Sequence, residues 1–129
     1  MNPMDKLTGF KRIVAAFDNS IKGFSFLLKN EAAFRQEAGL AALLTPLAFL
    51  ISRSLVELLF LLLSLVLVLV VEILNTAIEA TIDRIGLEYH ELSGLAKDLG
   101  SAAVLVSLLF CAGVWLSFLW RYLSALVLS

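Results

Sequence analysis

Four side chains near the middle of the sequence are spaced to act together. Glu72, Asn75, Glu79 and Asp83 follow one another at +3, +4 and +4. At about 100° per residue a helix carries all four within about 80° of its circumference, so three carboxylates and an amide share one stripe. Residues 58–71, just before it, contain no charge. Acids at the end of so apolar a run are expensive: each costs about 2.5–3.5 kcal/mol at mid-membrane, and mutual repulsion adds to this unless a cation or a proton intervenes. Ionisable groups at such depth are functional by default. A cation path or a proton relay fits the stripe. So does a reaction at the membrane boundary, where an acid that has lost solvation takes a proton from a lipid hydroxyl. A polar clamp between helices is the purely structural alternative.

A second polar stretch holds Glu88, Tyr89, His90, Glu91, Ser93, Lys97, Asp98 and Ser101. His90-Glu91 begins like the zinc motif HExxH, but Gly94 stands at the second histidine position and the chain has no other histidine, so zinc is not expected. Lys97 can meet a phosphate as a point charge. Magnesium takes one or two carboxylates plus phosphate oxygens, and Glu79 with Glu31 would supply them. The sequence contains neither GxxxxGK[ST] nor GxGxxG, so nucleotide binding does not follow from a phosphate-loop motif.

The elements that position these residues are membrane helices. Of 129 residues 60% are hydrophobic and only 16% charged, with mean hydropathy +0.95, against roughly 45–50% and about 25% in an ordinary globular domain. A soluble monomer could not hide that surface. A disulfide scaffold, a disordered regulator and a multidomain enzyme are excluded, and a formal net charge of −1 gives no reason to expect a nucleic-acid partner. Cys111 is the only cysteine and reads as packing. Asp5, Lys6, Lys11 and Arg12 interrupt any early apolar region, so no cleavable signal is expected.

Over residues 6–28, Phe10, Ile13, Val14, Phe17, Ile21, Phe24, Leu27 and Leu28 fall at helical steps, opposite Arg12, Asn19, Lys22 and Ser25. This predicts an amphipathic helix lying on the membrane. The uncharged runs 38–52 and 58–71 are shorter than the roughly 20 residues a span needs. The first span therefore recruits residues 32–37, giving about 32–52, and the second extends through the acidic stripe, giving about 55–80. Residues 99–120 lack charge and make a third span of about 98–120, with Trp115, Trp120, Arg121 and Tyr122 at its interfacial end. Residues 83–98 read as a polar loop, and Pro46 as a kink in the first span. Lys6, Lys11, Arg12, Lys22, Lys29 and Arg35 precede the first span, and Arg84 and Lys97 lie between the second and third. Only Arg53 and Arg121 fall on the other side, so the N-terminus is expected in the cytoplasm and the C-terminus outside.

Three segments then carry a resemblance. They are Asn30-Glu31-Ala32-Ala33-Phe34-Arg35-Gln36-Glu37, Glu72-x-Leu74-Asn75-Thr76-Ala77-Ile78-Glu79-x-x-Ile82-Asp83, and Glu88-Tyr89-His90-Glu91-Leu92-Ser93-Gly94-x-Ala96-Lys97-Asp98-x-Gly100-Ser101-Ala102-Ala103. In this order and spacing the chain resembles the small prokaryotic diacylglycerol kinases along nearly its whole length. The resemblance implies an all-α integral-membrane kinase, residues 1–129 forming one domain of a surface helix plus three spans, assembled as a homotrimer in the bacterial inner membrane. It implies transfer of the γ-phosphoryl of MgATP to diacylglycerol, giving phosphatidic acid. By the same resemblance Glu72 is the general base with Asn75 as its orienting amide, and Glu31 and Glu79 hold Mg²⁺. Arg12, Asn19, Glu31, Glu79, Glu88, Tyr89, His90, Lys97 and Asp98 would bind ATP. The lipid would lie along Arg12, Ala16, Phe17, Asp18, Asn19, Ser20, Ile21, Ser25, Phe26, Leu27, Leu28, Ala33, Phe34, Arg35, Gln36, Glu37, Glu72 and Ser101, partly from a neighbouring subunit. Phe17-Asp18-Asn19 and Ile21 depart from the small and aromatic residues typical of the family, and the segment after Tyr122 matches none of its motifs.

Three other readings stand beside this one: an undecaprenol kinase of the same family, a small oligomeric cation or proton channel lined by Glu72 and Glu79, and a non-catalytic membrane subunit.

Overall fold

A computed structural model describes residues 8–129, and these form helices joined by short connections, with no strand among them. The helices are α1 (Gly9–Asn30), α2 (Ala32–Ile51), α3 (Leu55–Ile85) and α4 (Glu91–Leu128). Three of them, α2, α3 and α4, are long and apolar enough to cross a membrane. The expected all-α membrane architecture, one N-terminal helix followed by three candidate spans, is therefore the one observed. The predicted surface helix began at residue 6; residues 6 and 7 lie outside the described part, and within it α1 starts at Gly9, whose φ of +63° suits a residue without Cβ.

Local chemistry sets the helix ends. At the start of α3 the Glu57 N–H donates to Ser54 Oγ at 3.2 Å, while the Glu57 carboxylate accepts from the Arg53 N–H at 2.7 Å. This is a close relative of the reciprocal capping box. The Gly86 N–H closes α3 on the Ile82 carbonyl at 3.2 Å, and the Leu92 N–H donates to His90 Nδ1 at 3.1 Å to open α4. The polar loop expected over 83–98 is thus confined to residues 86–90. Its second half is helix because His90 caps it and Leu92, Leu95, Ala96 and Leu99 recur at helical spacing, a pattern masked by the polar residues between them. At 31 and 38 residues, or about 47 and 57 Å, α3 and α4 both exceed a hydrocarbon layer of about 30 Å. Pro46 lies inside α2, which continues past it.

The chain divides into two compact units, one ending at Arg35 and the other comprising residues 36–129. In the first, Leu27 and Phe34 are buried and the Phe24 and Phe34 rings lie 6.4 Å apart. In the second, Ala48 and Ile51 of α2, Leu61 and Leu65 of α3, and Val114 and Trp115 of α4 form the core. Trp115, expected at the interfacial end of the third span, is buried in this core instead. Its indole N–H donates to Ser64 Oγ at 3.1 Å, and Ser64 passes its own hydrogen to the Leu61 carbonyl at 2.7 Å. The indole polarity that suits Trp to an interface is satisfied there by a serine on the neighbouring helix. Trp120 is exposed. Many large apolar side chains, among them Leu43, Phe49, Val56, Leu63, Val106 and Leu109, also remain on the outside, as a chain in lipid permits.

Candidate functional site

The C-terminal half of α3 carries the acidic stripe on one face. Glu72 is only 6% exposed. One turn on, the Asn75 Nδ2 contacts Glu79 Oε1 at 3.5 Å, and Glu79 is half-exposed. The stripe continues to Asp83, about 16 Å along the helix from Glu72 at 1.5 Å per residue. From α2, Glu37 lies close enough to feel the charge of Glu72. Three buried polar atoms of this region, Glu37 Oε2, Asn75 Oδ1 and Thr76 Oγ1, have no hydrogen-bond partner among the described residues. Buried acceptors without partners are rare in folded proteins, and two of these three belong to adjacent residues of α3.

The Asp83 end of the stripe opens on a cavity of about 320 Å³, at the lower end of the size range of ligand pockets. Asp83, Glu88, Tyr89, His90, Ser93 and Lys97 supply its polar wall, and Ile82, Gly86, Leu87 and Gly94 complete it. The short loop 86–90 and the capped start of α4 are what bring these groups round one opening. Inside, Lys97 Nζ contacts Asp83 Oδ1 at 2.9 Å, both side chains being about half exposed. Lys97 precedes the uncharged run 99–120, and its hydrogen bond to Asp83, reinforced by the charges of Asp83 and Glu79, holds its ammonium pKa above the ordinary value. It is thus a fixed cation facing both acids. Asp98 and Ser101 do not line this cavity; both are exposed.

The remaining sequence-predicted positions belong mostly to the first unit. Arg12, Ala16, Phe17, Asp18, Asn19, Ser20, Ile21, Phe26 and Leu28 are exposed along α1, Ser25 is half-buried, and Leu27 is buried. Asp18 pairs with Lys22 at 3.0 Å, and Ser20 donates to the Ala16 carbonyl at 2.9 Å. Glu31 is half-buried at the break between α1 and α2, where its N–H bonds the Leu27 carbonyl at 3.0 Å. Arg35 donates to the Leu28 carbonyl at 3.0 Å. Ala33 is exposed and Phe34 buried; Gln36, in the second unit, is exposed.

Among the described residues no group of three or more His, Cys, Asp or Glu side chains converges as a metal cage. The donors fit a different kind of site. Magnesium keeps water and substrate phosphate in its shell and needs one or two carboxylates, and Glu79, whose side chain among the described residues accepts only from the Asn75 amide at 3.5 Å, leaves oxygens available for it. Sequence reasoning gave no role to Asp83 as the partner of Lys97, to Thr76, or to Gly100, which is buried against Asn75. Opposite charges flanking a short loop were a usable signal for the first; the other two are tertiary facts.

Residues 18–119 match the family model described as prokaryotic diacylglycerol kinase. The chain is 48% identical over 115 residues to the diacylglycerol kinase of Escherichia coli (strain K12), covering 89% of this chain and 94% of that protein. To the diacylglycerol kinase of Pseudomonas aeruginosa it is 45% identical over 118 residues, covering 92% and 96%. To that of Haemophilus influenzae it is 43% identical over 112 residues, covering 87% and 95%.

Proposed function

The chain belongs to the prokaryotic diacylglycerol kinase family, and from that premise we propose that it transfers the γ-phosphoryl of MgATP to diacylglycerol at the inner face of the bacterial cytoplasmic membrane. Residues 1–129 act as one integral-membrane kinase domain, assembled as a homotrimer, with the N-terminus in the cytoplasm and the C-terminus outside. The observation that carries the reading is the stripe that runs from buried Glu72 through Asn75 and Glu79 to Asp83 in the wall of a polar cavity. One end suits a lipid hydroxyl, the other a water-soluble phosphate donor.

Glu72 takes the proton of the lipid hydroxyl as that oxygen forms its bond to the γ-phosphorus. The bond from phosphorus to the β–γ bridging oxygen breaks, and ADP leaves. Burial suits the role, because Glu72 lies at the end of the stripe that is removed from water, where a lipid hydroxyl can reach it. Asn75 orients the acids on either side of it. Magnesium, held by Glu79 and Glu31, would neutralise charge on the transferring phosphate. The fixed charge of Lys97 faces the phosphates, with Glu88, Tyr89, His90 and Asp98 toward the rest of the nucleotide and Arg12 and Asn19 reaching it from the surface helix. The lipid lies along α1 from Ala16 to Ile21 and from Ser25 to Leu28, residues 33–37 and Ser101. Phosphoryl transfer needs mainly positioning and charge neutralisation, so no phosphate-loop fold is required.

The test is Mg²⁺-dependent transfer of label from γ-labelled ATP to diacylglycerol in mixed micelles. Transfer is expected; a wild-type protein that labels no lipid overturns the reading. Undecaprenol added in competition decides between the two lipid alcohols.

A further inference from the structure

Gly100 lies in α4 opposite Asn75 of α3 and is buried. A Cβ built on Gly100 would collide with Asn75 Oδ1 and sit 3.3 Å from its Cγ. The amide therefore occupies the space that any other residue at position 100 would fill. Seated there, Asn75 points its Nδ2 at Glu79 Oε1, 3.5 Å away, and leaves its buried Oδ1 without a partner. No other glycine in the described residues makes a comparable contact: a Cβ on Gly113, in the same helix, meets nothing within 4 Å.

We infer that Gly100 is a positioning residue for phosphoryl transfer, its missing side chain forming the seat that aims the Asn75 amide at Glu79. The inference rests on the kinase reading. Alanine favours a helix more than glycine does, so intrinsic propensity gives Gly100→Ala no reason to fail; the collision does. A displacement of about 1 Å in a catalytic constellation costs on the order of 100-fold in rate.

The experiment compares full-length wild type, Gly100→Ala and Gly113→Ala in the labelled-ATP assay, alongside the ¹⁵N side-chain amide signal of Asn75, assigned by its loss in Asn75→Ala. Gly100→Ala is expected to lower kcat about 100-fold with the Asn75 signal shifted, while Gly113→Ala matches wild type in both. An active wild type with an equally active Gly100→Ala overturns the inference, as does lost activity with an unmoved Asn75 signal. If Gly100→Ala does not fold, unfolding temperatures of Asn75→Ala and Asn75→Ala/Gly100→Ala take its place. Without the amide the new Cβ meets only Asn75 Cβ at 3.9 Å, an ordinary contact. An equal or higher temperature for the double variant supports the inference and a lower one overturns it. A wild type inactive toward diacylglycerol overturns the kinase reading, and the catalytic use of this contact with it.

Discussion

Oriented as proposed, with the Glu72–Asp83 stripe on the cytoplasmic side, the outer and inner halves of the α3–α4 pair treat their polar groups in opposite ways. Toward the outer end, Arg121 of α4 forks onto Glu57 of α3, Nη1 to Oε1 at 2.6 Å and Nη2 to Oε2 at 2.8 Å, and also donates to the Ile51 carbonyl of α2 at 3.2 Å. Ser64 and Trp115 satisfy each other, and Ile51 and Leu61 pack beside them. Arg121 Nε is the buried polar atom left without a partner there among the described residues. The inner half leaves Asn75 and Thr76, and Glu37 of α2 beside them, each with a buried oxygen unpartnered among the described residues, in a region that also holds buried Glu72. Paired polar groups lock helices together, whereas unpaired ones cost stability and are retained where a ligand completes them. One half of the pair is a clamp; the other is the proposed site.

The contrast breaks most visibly at Glu72. If it is the base, Glu72→Gln keeps the volume and removes the proton acceptor, and kcat falls by about 10²–10⁴ while helix content and oligomeric state stay those of wild type. A Gln variant that keeps full rate would move Glu72 from the site to the clamp. Next in size is Lys97. Lys97→Met should raise the KM for ATP about tenfold, the scale of one lost charge-assisted contact, with a smaller change in kcat. Because Asp83 holds the ammonium at 2.9 Å, Asp83→Asn should alter the same KM and leave lipid affinity alone, which titration of each substrate would show.

The site's layout was readable in the sequence to the extent that it is local. The 3.6-residue period alone puts Glu72, Asn75 and Glu79 on one face, and the shortness of the run 58–71 says that this face lies at the end of a span. The number of helices followed from the same runs. What escaped is what two helices do to each other. Nothing near Trp115 in the sequence announces Ser64, 51 positions away, so an indole that belongs to the core read as an interfacial anchor. Gly100 gives no local sign of Asn75. The start of α4 was missed for a different reason: the polar residues of 91–98 outweighed an apolar spacing that only the His90 cap makes decisive.

Arg121→Gln tests the clamp. Removing the guanidinium leaves Glu57 with the Arg53 N–H and its own helix end, so the unfolding temperature should fall in detergent while kcat and both KM values hold. Equal loss of activity would mean that the halves are not separable.

The smallest expected effect isolates a single bond. Trp115→Phe preserves most of the ring packing against Ile51, Leu61 and Val114 and deletes the N–H that Ser64 accepts at 3.1 Å. Ser64 keeps its donor bond to the Leu61 carbonyl, so no donor is orphaned, and the cost should be that of one net hydrogen bond, about 0.5–1.5 kcal/mol. It should appear in the unfolding equilibrium and not in phosphoryl transfer. The distance from Ser64 to Glu72 is eight residues of one helix, about 12 Å, and α3 is continuous across it. Transfer that slows as much as stability falls would show the clamp bearing on the acidic stripe through α3 itself, and the inner half would then depend on the outer for alignment as well as for support.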